Sequence, residues 1–233
     1  MNVGASKLNP VDLVGNLGVS FDSELSFKNQ IKMIVKICNF QIRNIYAIKK
    51  HLDRKCLHLL VHSLVISKIN YCNSLYSGLP NYLLRKLQSV INRSVRLICS
   101  LPPRVPTTQY LIELHWLPVK ARIEFKICLL AFKALKFGQP KYLANLLSLQ
   151  NVPLGMDLRT SDDPYRLEEP RATSERLFSE RAFSYIVPRL LNRLPVSLKE
   201  ADSVELFKPK LKTFMFARAI DSNDRSFNEG CRV

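Results

Sequence analysis

Apolar residues spaced three or four apart constrain this chain more than any other feature. Phe27, Ile31, Ile34, Val35, Cys38, Ile42 and Ile45 repeat at the interval of one helix face, which no strand could bury together. The spacing predicts a helix to about Lys50, with Ser26 placed to cap it. Arg54 to Ile69 is almost wholly apolar and reads as a second, central helix. Asn81 starts a third, Tyr82 to Cys99, which L-P-P-R-V-P at Leu101–Pro106 must break. A short helix is expected over Thr108–Leu114. A long one follows Pro118, a good first-turn residue, and ends at Phe137 before Gly138. Pro140–Leu147 reads as a further turn or two. Ser203–Ala219 reads as a last helix with Val204, Phe207, Leu211, Phe214 and Met215 on its apolar side. Only Asn16–Phe21 (N-L-G-V-S-F) reads as strand. Asn151–Pro170 is polar and interrupted by proline, the mark of a boundary or surface loop, and Thr173–Tyr185 fits a helix or a bent strand pair equally. The expected fold is mainly α, with a short β remnant in residues 1–25, a helical bundle in 26–147 and a looser segment in 148–233.

Charge indicates the kind of partner. The 233 residues carry 35 Lys and Arg against 19 Asp and Glu, a formal net charge of +16, so a polyanion is the first physical expectation. Only seven glycines weigh against a phosphate-loop enzyme or a many-turned sandwich. Met1–Pro10 shows no secretory signal, and the apolar run Cys56–Ile66, interrupted by His58 and His62, falls short of the ~20 residues a membrane span needs. An intracellular chain with no membrane partner is expected, nucleus and cytoplasm being undistinguished. The six cysteines, Cys38, Cys56, Cys72, Cys99, Cys128 and Cys231, are scattered without C-x-x-C. They read as reduced thiols in or near the core.

The cations are ordered along the helices. At about 100° per residue, Lys28, Lys32, Lys36, Arg43 and Lys50 share an arc of roughly 80°, Arg85, Lys86, Arg93 and Arg96 one of about 100°, and Arg122, Lys126 and Lys133 one of about 40°. Three basic edges on consecutive helices can line one groove, where neutralised phosphates release condensed counterions. Lys28, Lys32, Lys36, Arg43, Arg93, Arg96, Arg122 and Lys126 are the expected nucleic-acid contacts.

Candidates for catalysis fare less well. Ser161-Asp162-Asp163 has the look of a two-metal aspartate pair, but R-T-S-D-D-P-Y is turn chemistry, not a rigid hairpin. His58 and His62 stand at a zinc-gripping spacing without a glutamate between them. Trp116, in L-H-W-L-P-V, reads as a core or joint residue sooner than as a base-stacking platform. No catalytic residue, metal site or cofactor is expected in this chain.

Ordered blocks carry a family resemblance. They are Leu17-Gly18-Val19, N-Y-C-N-S-L-Y-S-G-L-P (Asn70–Pro80), L-H-W-L-P-V (Leu114–Val119) with Arg122-Ile123 and Phe125-Lys126, Arg181-Ala182-Phe183-Ser184, Pro188-Arg189-Leu190 with Asn192 and Leu194-Pro195, and Phe207-Lys208 with Leu211-Lys212-Thr213. From about residue 16 to 218 the sequence resembles the C-terminal part of reverse transcriptases of LINE-type, non-LTR retrotransposons, of the jockey and chicken-repeat branches. The resemblance implies that residues 1–25 hold the end of the palm beside the primer grip. Residues 26–147 would then be a thumb-like helical bundle that clamps RNA and DNA, as an RNA/DNA hybrid, through their backbones, and 148–233 a post-thumb segment. It further implies that the palm, with its catalytic aspartates and Mg²⁺, belongs upstream of Leu17 and that this RNA-directed DNA polymerase fragment has no activity by itself. Residues 1–15 look like a start within or beside an older reading frame. A gene-model fragment, a non-functional relic, a reused nucleic-acid-binding module and a protein-interaction module that self-associates through the surface left by the palm all fit the sequence.

Overall fold

A hairpin, not a single strand, leads into the first long helix. The computed structural model describes residues 2–3, 6–7, 11–150, 163–170 and 181–221. β1 (Asn2–Val3) pairs antiparallel with β2 (Ser6–Lys7), and β3 (Leu13–Asn16) with β4 (Val19–Asp22), Asn16 lying opposite Val19. The sequence reading ran one strand through residues where the chain reverses. Leu17 and Gly18 have φ of 46° and 77°, the two left-handed positions of the tight turn that matches strand twist. Leucine is a poor signal for that turn, which is why the reversal is hidden. The Tyr71 hydroxyl donates to the Leu17 carbonyl at 2.7 Å and holds the turn.

α1 (Lys28–Ile48) begins differently from the expected serine cap. The Ser26 hydroxyl donates to Asp22 Oδ2 at 2.8 Å, and its backbone N–H donates to the other carboxylate oxygen, so Asp22 fixes the approach. α2 (Arg54–Val61) is capped by Asp53, whose carboxylate accepts the Cys56 N–H at 2.7 Å. It runs through one wide π turn at His62–Ile66 into α3 (Ser67–Asn70). Leu57, Val61, Val65 and Ile69 are buried every fourth residue; that interval drifts from the ~3.6 residues of an α turn, and the wide turn absorbs the drift. The segment is less central than its composition suggests, since Leu59 and Leu64 face outward. α4 (Asn81–Cys99) buries Leu83, Leu87, Val90, Ile91, Val95 and Ile98 and packs along α1, which contributes Ile31, Ile34, Cys38 and Ile45. α5 (Thr108–Glu113) follows the proline-rich break.

The chain forms two compact units, one within Met1–Leu114 and one within His115–Phe227. The division thus falls after Leu114, not after residue 147. α6 (Val119–Phe137), ended by Gly138 at φ 63°, packs on α8 (Phe183–Leu191) and α10 (Val204–Asp221). Phe132 and Phe207 stack with centroids 4.0 Å apart, and Ile123, Ile127, Leu211 and Met215 complete the contact. Two short helices, α7 (Lys141–Ala144) and α9 (Val196–Lys199), lie in the same unit. Trp116 is buried, as a core reading expects. Residues 151–162 of the expected loop, with Ser161 and Asp162, residues 171–180 of the undecided stretch, most of residues 1–10, and the tail that holds Cys231 lie outside the described residues. No helix among the described residues is long and apolar enough to cross a membrane.

Candidate nucleic-acid interface

The basic edge of α4 is one face of a cleft. Tyr82, Arg85, Ser89, Arg93 and Arg96 follow one another at helical intervals, with Lys86 beside them, and all six line a depression of about 360 Å³ whose opposite side is Val35 and Asn39 of α1. Arg93 Nη1 donates to Asn39 Oδ1 at 3.0 Å, tying the two helices across it. Lys86 Nζ sits 5.8 Å from the centre of the Tyr82 ring. Arg96 is half-buried; its Nη2 donates to the Val105 carbonyl at 3.4 Å, and its Nε is buried without a partner. None of the described lining residues is acidic.

The α1 edge borders this cleft. At about 100° per residue, Asn39 falls inside the arc of Lys28, Lys32, Lys36 and Arg43, and all four of those side chains are exposed. Two of the three expected edges therefore meet. Chain composition sets their surroundings in sequence. Between Glu24 and Glu113 there are fourteen Lys and Arg and a single acid, Asp53, whose carboxylate is engaged as the α2 cap. Glu113 itself is taken by Arg54 at 2.5 Å.

The third edge belongs to the other unit, where its members separate. Lys126 and Lys133 are exposed on α6. Arg122 is the correction to the expected set: its Nε donates to the Leu117 carbonyl, its guanidinium lies 5.8 Å from the Trp116 ring centre, and burial lowers its pKa to about 10. It is a packing cation, not an exposed phosphate contact. Arg85, Lys86 and Tyr82 gain importance that the individual expected contacts did not give them. The acid-free stretch around them was readable as a signal, whereas Asn39 needed the α1–α4 packing to be placed.

Other candidates resolve simply. His58 and His62 stack with ring centroids 6.3 Å apart. Among the described residues no three His, Cys, Asp or Glu side chains gather into a group able to hold a metal ion. Cys38 and Cys128 are buried, which pushes their thiols up to about 11 and about 12, while Cys56 is exposed, against its expected place near the core. The described cysteines are free thiols. No protein family, curated protein or solved structure matches the chain.

Proposed function

We propose that the first unit binds nucleic acid through the sugar-phosphate backbone, in the manner of a polymerase thumb, and that the chain derives from the C-terminal part of a non-LTR retrotransposon reverse transcriptase without carrying its catalysis. One observation bears most of the weight: Arg85, Lys86, Arg93 and Arg96 line a single cleft whose described lining residues include no acid, bordered by the cationic edge of α1. Arginine forks suit phosphate oxygens and lysine supplies a mobile point charge. Tyr82 offers a half-exposed ring on which a base can stack. The order of the resembling blocks supports the ancestry. Three of them fall on joints, Leu17-Gly18 in the hairpin turn, Asn70–Pro80 in the connector before α4, and L-H-W-L-P-V in the lead into α6, while others lie within α6, α8 and α10.

The test is anisotropy of a labelled RNA/DNA hybrid titrated with the full chain across salt. For about six phosphates neutralised, affinity falls on the order of a thousandfold between ~50 and ~200 mM salt. Charge reversal at Lys32 and Lys36 weakens binding without changing sequence preference. Salt-insensitive binding, or none by folded protein, removes the proposal.

A second reading, a protein-interaction module, is favoured by the hairpin, where Val11, Leu13, Val14 and Leu17 are 62, 49, 48 and 83% exposed. Exposed apolar side chains grouped on one hairpin favour association. Light scattering separates the readings: a concentration-independent monomer counts against the second.

A further inference from the structure

Three arginines in the second unit converge on a cleft of about 410 Å³: Arg166, Arg189 and Arg193, accompanied by Glu169 and Asn192. The cleft is held in place from both sides. Asn192 accepts the Leu167 N–H at 2.9 Å and donates to the Leu167 carbonyl at 3.0 Å, acting as a strand partner for the Asp163–Pro170 segment, and also donates to Glu169 Oε1 at 3.2 Å. Asp163, at the start of that segment, forms an ion pair with buried Lys199. Leu167, 1% exposed, pairs with Leu149 on its other side. Arg189 is set by Tyr185, with Cζ 4.0 Å from the ring centre and Nη2 donating to the hydroxyl. These contacts fix the backbone around Arg166 and the guanidinium of Arg189.

Among the described lining residues, three guanidinium groups against one carboxylate leave a net charge of +2. Guanidinium is charged at neutral pH, so an anion bound among the three relieves their mutual repulsion. We infer that this cleft is a phosphate-monoester site. A monoester carries about −1.5 to −2 at pH 7 and three acceptor oxygens, matching the charge and the forked donors, whereas a diester carries one negative charge and leaves part of the repulsion standing. The site shares no residue with the cleft of the first unit and does not depend on the reading given to it.

Isothermal titration calorimetry of the full chain with inorganic phosphate, monomethyl phosphate and dimethyl phosphate tests the assignment. Both monoester-type dianions are expected to bind at least about tenfold tighter than the diester, the size of one charge-assisted hydrogen bond. A preference for phosphate over its methyl ester identifies free phosphate as the source, and the reverse identifies an organic phosphate. Arg193→Gln, at an exposed position, is expected to weaken monomethyl phosphate about tenfold; Glu169→Gln, which removes the one negative charge, is expected to tighten it. Lys55→Gln, at an exposed position of the other unit, leaves the affinity as it is. Should Arg193→Gln melt at a lowered temperature, Arg166→Lys keeps the charge, loses the fork and serves instead. Equal affinity for the diester, or unchanged affinity in a natively folded Arg193→Gln chain, overturns the assignment.

Discussion

The two units dispose of positive charge differently. In the first, cations from α1 and α4 stand beside one another along a cleft with no acid in its described lining. In the second, several are engaged within the fold, Lys199 with Asp163, Arg218 with Glu124, Lys136 with Asp202, and Arg122 against Trp116 and a backbone carbonyl, while Arg166, Arg189 and Arg193 gather around a separate cleft. A net charge of +16 says nothing of this division. What matters is whether an acid lies within reach of each cation once the helices have packed, since a paired surface cation contributes little outward field while an unpaired row attracts counterions that a polyanion can displace.

Breaking the second unit's pattern gives the largest expected effect. Lys199→Ala leaves the part-buried Asp163 without its cation and is expected to cost about 2 kcal/mol, read as a lowered denaturation midpoint, while hybrid binding by the folded fraction stays intact. A loss of binding in step with unfolding would show that the two units do not divide their roles as stated. Next in size, Arg85→Glu with Arg93→Glu puts two acids into the cleft of the first unit. Affinity for the hybrid is expected to fall by more than about tenfold, or ~1.4 kcal/mol, with the melting temperature little changed.

Single neutralisations sharpen the contrast. Lys36→Gln is expected to lower the slope of log affinity against log salt by about one, whereas Lys126→Gln, on α6, leaves it nearly unchanged. Equal slopes for the two would extend the interface to the second unit. Smallest is an effect of pH. The Cys56 thiol and then its backbone N–H hold the Asp53 carboxyl below its ordinary value, so the native state favours the ionised cap. That stabilisation is fully present above the unfolded pKa, near ~3.9, and is lost as pH falls through the lower native one. Asp53→Asn is therefore expected to flatten the acid limb of a stability-against-pH curve and to leave its neutral region close to unchanged.

Helices over Lys28–Ile48, Asn81–Cys99, Val119–Phe137 and Val204–Asp221 were legible because each carries its own apolar stripe and its own stop, a local pattern that needs no distant partner. The β3–β4 reversal was not, because Leu17 takes a left-handed conformation that its side chain disfavours and that the Tyr71 hydroxyl helps to hold from 54 residues away. Ser26 misled for a related reason: the position preceding the helix is Phe27, held at a φ of 53°, which leaves Ser26 one residue too early to cap it. At the candidate interface, the edges of α1 and α4 could be read from spacing. The retirement of Arg122 could not, since the helix face that places it beside Lys126 also turns it toward Trp116.

By itself the sequence determined where the helices run, on which flank of each the cations gather, and that acids are nearly missing between Glu24 and Glu113. All of these follow from one-dimensional order and the fixed pitch of a helix. Only the tertiary structure decided that the flanks of α1 and α4 share a cleft, that Arg122 is withdrawn from its row, and that Arg166, separated by more than twenty residues from Arg189, stands with it around one pocket. Those outcomes depend on which surfaces lose water against which neighbours, and that pairing is set by shape and burial across the whole unit, not by any segment alone.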